Sequence, residues 1–155
     1  WTNINLSYNK NNLINGKFNC VGKSSSYNEI TKGKSYLLFG MYEIKDSCYT
    51  VNINQSTKSK ITIEILDDKN NLVKLKELNL EKDYVYSDGL IQLSKDSECF
   101  STNGVIGCGS RKSFMFYNKN KDLIIKSEET MGATFMFVIP VGGNFKNYSL
   151  FKKVD

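Results

Sequence analysis

A chain of 155 residues suits one domain, because a single core is well supported at this length and two would each be marginal. Apolar residues make up 40% and include nine Tyr and nine Phe, which excludes disorder, while a lone alanine, Ala133, among abundant Ile, Val, Thr, Tyr and Phe excludes a mainly helical chain. The net charge of +5 does not read as nucleic-acid binding, since the 21 basic residues include one arginine, Arg111, and the lysines are scattered among acids.

The first 15 residues are polar and Asn-rich, with Leu6, Tyr8, Leu13 and Ile14 giving a weak pattern, so they read as an edge strand or a loosely held lead-in. Trp1 in place of Met reads as the result of processing. The expected removed piece is a signal peptide, and any membrane contact is then expected only through an N-terminal lipid anchor lost with it. No apolar run is long enough to cross a membrane as a helix.

A short strand is predicted over residues 17–21, then the loop Ser24-Ser25-Ser26 and an apolar run over residues 36–41. Residues 48–53 alternate as a strand. Residues 60–66 alternate most cleanly, with Ile61, Ile63 and Ile65 on one face and Thr62 and Glu64 on the other. The turn Asp67-Asp68-Lys69-Asn70-Asn71 leads into residues 72–78, a returning strand, against which a short helix over residues 72–80 competes because Leu72, Leu75 and Leu78 also suit a helical face. A brief strand follows over residues 89–93. Residues 113–117 and 122–126 flank the turn Asn118-Lys119-Asn120-Lys121 as a second hairpin, residues 134–139 are wholly apolar, and residues 148–154 form a closing strand. Short strands with turn signals between them predict a mainly β fold, an antiparallel β-sandwich or small barrel, in one domain over residues 1–155.

Cys20, Cys48, Cys99 and Cys108 form an even set without a C-x-x-C pair, and the chain has no histidine, so disulfides are expected rather than zinc or thiol redox chemistry. Cys99 to Cys108 with Cys20 to Cys48 is the preferred pairing, because Ser101-Thr102-Asn103-Gly104 turns the chain back within a short loop. An oxidising, periplasmic or secreted setting follows.

The absence of histidine removes the usual general base and the commonest catalytic metal ligand. There is no G-x-S-x-G elbow and no phosphate-binding glycine loop; Gly104, Gly107 and Gly109 surround Cys108 and read as structural. The S-x-x-K matches at Ser7 and Ser149 are what a Ser- and Lys-rich chain yields by chance, and both lie near chain ends among polar neighbours, a setting unsuited to a serine–lysine pair. The acid clusters Asp67-Asp68, Asp96 with Glu98, and Glu128-Glu129 read as solvated charges, adjacent strand residues pointing to opposite faces. No catalytic residue, metal ligand or cofactor is therefore expected, an enzyme acting through carboxylates alone being the remaining catalytic alternative. Asn5, Asn54 and Asn147 begin N-x-[ST] matches of the kind expected by chance among many asparagines.

The ending Ala133-Thr134-Phe135-Met136-Phe137-Val138-Ile139-Pro140-Val141, followed by Tyr148-Ser149-Leu150-Phe151-Lys152-Lys153-Val154, resembles the close of small bacterial periplasmic lipoproteins, some of them immunity lipoproteins of type VI secretion systems. The likeness is a general pattern over the C-terminal third and the cysteine spacing. It implies an outer-membrane-tethered protein that blocks the active site of a secreted toxin. An envelope structural or assembly lipoprotein, or an inhibitor of host lysozyme, are the alternatives within that compartment. The surface expected to meet a protein partner is the loop over residues 103–112, where Val105 and Ile106 sit beside Arg111 and Lys112 in a disulfide-stiffened turn. The plainer alternative is a hairpin end that packs on the sheet.

Overall fold

The computed structural model describes residues 13–25, 34–36, 50–102, 105–135 and 139–154. These contain no helix. Their strands form two antiparallel sheets. The first runs β12 (Lys153–Val154), β1 (Asn15–Asn19), β4 (Thr50–Thr57), β5 (Lys60–Leu66), β6 (Leu72–Asn79). The second runs β3 (Lys34–Tyr36), β2 (Val21–Ser25), β11 (Ile139–Phe151), β10 (Leu123–Phe135), β9 (Val105–Tyr117), β8 (Leu90–Thr102), β7 (Val85–Ser87). Neither sheet closes on itself, so the expected sandwich forms and the small barrel does not. Residues 1–12 of the lead-in over 1–15, 37–41 of the apolar run over 36–41, Cys48, the turn residues Asn103-Gly104 and residues 136–138 of the apolar segment over 134–139 lie outside the described residues, while Ser24 and Ser25, expected as loop, pair with β11 as the end of β2.

The two-residue period of β4 and β5 sets the inner face of the first sheet. Val51, Ile53 and Gln55 on β4, and Ile61, Ile63 and Ile65 on β5, are all buried. They join Phe18 and Leu78 in one core with Ile91, Met115, Leu123 and Phe151 of the second sheet. Each such aliphatic or aromatic side chain contributes about 1.5–3 kcal/mol when fully buried.

Gln55 is polar yet fully buried, and its bonds explain why it is tolerated. Its Oε1 accepts the Ile14 N–H at 2.9 Å, its Nε2 donates to the Tyr86 hydroxyl at 2.7 Å, and its backbone exchanges bonds of 2.7 and 3.2 Å with the Asn15 side chain. The Tyr117 hydroxyl donates to the Asn15 carbonyl at 2.6 Å, tying β1 to the opposite sheet. Burial pushes the Tyr117 phenol up to about 12, against the opposing pull of the Asn15 N–H, which donates to the phenol oxygen.

At residues 72–80 the strand wins over the helix. A helix would bury Leu72, Leu75 and Leu78 together, whereas only Leu78 is buried, opposite Ile61. Lys76 and Lys74 stand opposite Ile63 and Ile65, and inward-directed charge on an edge strand discourages pairing with another chain.

The chain changes sheets at Cys20 and again at Lys152, so the expected strand over residues 17–21 is divided between β1 and β2, and that over residues 148–154 between the end of β11 and β12. The two corners adjoin, the Asn19 N–H donating to the Lys152 carbonyl at 2.9 Å. Buried Asp122 holds them, accepting from the Lys153 N–H and the Lys152 ammonium, each at 3.1 Å. Gly22 is obligatory beside them, since a Cβ would lie 2.4 Å from the Leu150 carbonyl oxygen.

The two expected asparagine- and aspartate-rich turns share one hydrogen-bond plan. Oδ1 of Asp67 accepts from the N–H of Lys69 and Asn71, and Oδ1 of Asn118 from those of Asn120 and Asp122. Each turn contains one left-handed residue, Asn70 at φ 62° and Lys121 at φ 61°.

The largest departure from the sequence reading lies in β8 to β11. The brief strand at residues 89–93, the hairpin arms at 113–117 and 122–126, and residues 148–151 of the closing strand are the inner ends of four 13-residue strands paired antiparallel, with one irregularity between Gln92 and Ser94 on β8. At about 3.4 Å per residue each spans roughly 40 Å, beyond the usual strand length. Their inner ends carry the core; their outer ends continue the same sheet past it.

Candidate functional site: a glycine-floored groove on the outer sheet

Beyond the core, the outer ends of β8 to β11 make the outer sheet, and register places two successive rows on its inward side. Glu98, Gly109, Met131 and Gly143 form one row, with Arg111, Glu129 and Phe145 in the next. Phe100, Gly107 and Ala133 form the row beyond, nearer the β8–β9 turn. This is the same face that, at the inner ends, buries Ile91, Met115, Leu123 and Phe151 against the first sheet. Further out the apolar side chains are exposed: Phe100 by 43%, Met131 by 53% and Phe145 by 50%.

The glycines give that face its hollow. A Cβ on Gly107 would lie 2.7 Å from Cζ of Phe100 and 2.9 Å from Cβ of Ala133, so the Phe100 ring lies down over bare backbone. A Cβ on Gly143 would come within 3.2 Å of Cζ of Phe145, which leans over its own glycine in the same way. At Gly109 the nearest atom to such a Cβ is the Thr130 carbonyl oxygen at 3.5 Å, so the space above it is open. The result is a groove of about 340 Å³ floored at Gly109, walled by Phe100, Met131 and Phe145, and edged by Glu98, Arg111 and Glu129.

The charged edge is simple. Arg111 Nε meets Glu129 Oε1 at 2.8 Å; both are partly exposed, so the pair contributes at most about 1 kcal/mol and serves mainly to orient the guanidinium along the rim. Glu98 has no ion-pair partner among the described residues. Among those residues no group of three His, Cys, Asp or Glu is placed to hold a metal ion. The chemistry on offer is burial of an apolar group against aromatic rings and a thioether, with charge at one side.

The opposite side of the outer sheet carries Cys99 and Cys108. They are direct cross-strand neighbours joined by a disulfide, as the spacing led us to expect. Cys20 is also disulfide-bonded, and its expected partner Cys48 lies outside the described residues. On that side too, Lys126 is bonded to Glu128 and, with Lys146 and Lys112, holds its carboxyl below the usual range.

The expected partner loop over residues 103–112 is a strand from Val105 onward. Alternation therefore divides its four candidates. Arg111 lies on the groove rim and partly buried Val105 on the same face, whereas exposed Ile106 and partly buried Lys112 lie on the opposite one. The sequence reading missed Phe100, Met131, Phe145, Glu98 and Glu129. A signal was present: glycine at both 107 and 109 leaves one strand face bare, and Gly143 stands two residues from Phe145.

A second apolar strip, Leu72, Val73 and Leu75 on β6, is exposed but lies on an edge strand interleaved with Lys74 and Lys76. No protein-family model, curated protein or solved structure matches this chain.

Proposed function

We propose that the protein is a non-catalytic binding protein of an oxidising, periplasmic or secreted setting, and that its outer-sheet groove receives an apolar segment of a protein partner. Within that class we favour an antagonist of a secreted toxin, tethered to the outer membrane through an N-terminal lipid anchor. An envelope assembly protein is the alternative. The observation that carries the binding reading is the cluster of Phe100, Met131 and Phe145, each more than two-fifths exposed around a hollow with a glycine floor. Exposed aromatic and thioether side chains on a rigid sheet are the anchors that interfaces use, and rigidity lowers the entropy lost on docking.

The test takes a secreted toxin found encoded beside this gene, purified with this protein. The expected result is a one-to-one complex that Phe100→Ser with Phe145→Ser weakens at least about 100-fold, two anchors of roughly 2 kcal/mol each being lost. A complex with unchanged affinity in that variant removes the groove from the interface. No complex, together with an envelope defect on deletion, replaces toxin antagonism with envelope assembly.

A further inference from the structure

We propose that the Cys99–Cys108 bridge is a site of thiol–disulfide exchange, opened by a dithiol reductant while the Cys20 bridge stays closed. The inference stands on surroundings rather than on the groove's partner, and its failure would leave the binding proposal untouched.

The two bridges sit in opposite settings. Cys20 is 1% exposed in the main core, whereas Cys99 and Cys108 are both exposed on the outward side of the outer sheet. Register continues their row through Gly132 and Gly142, so no side chain stands beside the bridge across β10 and β11. Nothing would lie within 4 Å of a Cβ on Gly132. Along their own strands the neighbours on that face are small, Ser97 and Ser101 on β8 and Ser110 on β9, with Ile106 the one bulky exception. A thiolate can therefore reach either sulfur, and access together with thiolate character governs exchange.

The electron balance is that of any dithiol. One thiolate of the reductant attacks Sγ of Cys99 or Cys108, forming a mixed disulfide and releasing the other cysteine as thiolate. The second thiol of the reductant then displaces the bound protein sulfur and closes its own disulfide. Two electrons and two protons pass to the protein, which is left with two thiols.

The bridge joins the backs of groove residues. Cys99 stands between Glu98 and Phe100, and Cys108 between Gly107 and Gly109, all four on the groove face. Opening it frees the outer end of the β8–β9 hairpin at the point where the groove is walled and floored.

The experiment titrates the native oxidised protein with dithiothreitol, traps free thiols by alkylation and maps them by peptide mass, with amide exchange followed in parallel. Cys99 and Cys108 are expected to be trapped at about tenfold lower dithiol than Cys20. Exchange over residues 99–108 should then rise by up to about 100-fold, the loss of a short closed loop, while β4 and β5 remain protected. Cys99→Ser with Cys108→Ser should reproduce that exchange pattern with Cys20 still oxidised. Trapping of Cys20 at equal or lower dithiol, or reduction that leaves exchange over residues 99–108 unchanged, overturns the proposal.

Discussion

Replacing Gln55 by leucine tests the polar knot that ties the start of β1 into the core. The Ile14 N–H, on a residue 1% exposed, loses the Oε1 that accepts it at 2.9 Å and is shielded from solvent. An orphaned buried donor costs about 1–3 kcal/mol. The Tyr86 hydroxyl loses its partner at 2.7 Å but is partly exposed and can turn to solvent at a cost below about 1 kcal/mol. The leucine returns about 1 kcal/mol by burying apolar surface, and the Asn15 side chain keeps its bonds to the backbone of residue 55. The net expectation is a loss of about 2 kcal/mol, or about 4–8 °C in Tm for a chain of this size. Urea denaturation followed by far-ultraviolet circular dichroism measures it, with an unchanged m value. Because Tyr86 and Gln55 share a bond, Gln55→Leu with Tyr86→Phe should cost about 1 kcal/mol less than the sum of the single changes. A Gln55→Leu variant within about 0.5 kcal/mol of the parent would refute the claim that this network is satisfied only by glutamine.

Three further outcomes follow from the same geometry. Gly22→Ala should destabilise by more than about 2 kcal/mol in the same denaturation assay, because the new methyl meets a carbonyl oxygen and the Phe151 ring that the core holds fixed. Lys121→Gly should stabilise by about 1 kcal/mol, relieving a left-handed backbone at φ 61° in a turn whose hydrogen bonds use no lysine side chain. Tyr117 has its pKa raised in the folded state, so its neutral form is worth most below pH 10 and that contribution is lost as pH rises from about 10 towards 12. The stability gap between the parent and Tyr117→Phe should narrow over that window by an amount on the order of 1 kcal/mol, the partly solvated ring reducing the full effect.

The inner half of the fold is legible in the sequence because its physics is local. Ile61, Ile63 and Ile65 alternate with polar residues, Asp67 and Asn118 open turns through their own side chains, and the cysteine spacing closes a short loop, all within a few residues of one another. The outer half is not legible in that way. On β9 glycines at 107 and 109 leave one face bare, and on β8 Ser97, Cys99 and Ser101 alternate with Glu98 and Phe100, so the outer part of neither strand carries a hydrophobic stripe. What holds those segments extended is pairing with neighbours in a meander, each strand anchored at its inner end by the core. The groove shares that dependence: Phe100, Met131 and Phe145 are brought together from three strands by register, and none is near another in sequence. At residues 72–80 the three leucines suit both periods, and the decision fell to the pairing of β6 with β5.

The central claim is that the outer-sheet groove, rather than the exposed strip on β6, meets a protein partner. Photocrosslinking in the producing cell tests it most directly, with p-benzoylphenylalanine introduced in place of Phe145, of Met131 and, on β6, of Leu75. All three positions are about half exposed, so reach to solvent is matched. A discrete adduct of one mass from positions 145 and 131, absent from position 75 and lost when Phe100→Ser is added, is the predicted result. An adduct from position 75 alone would contradict the account.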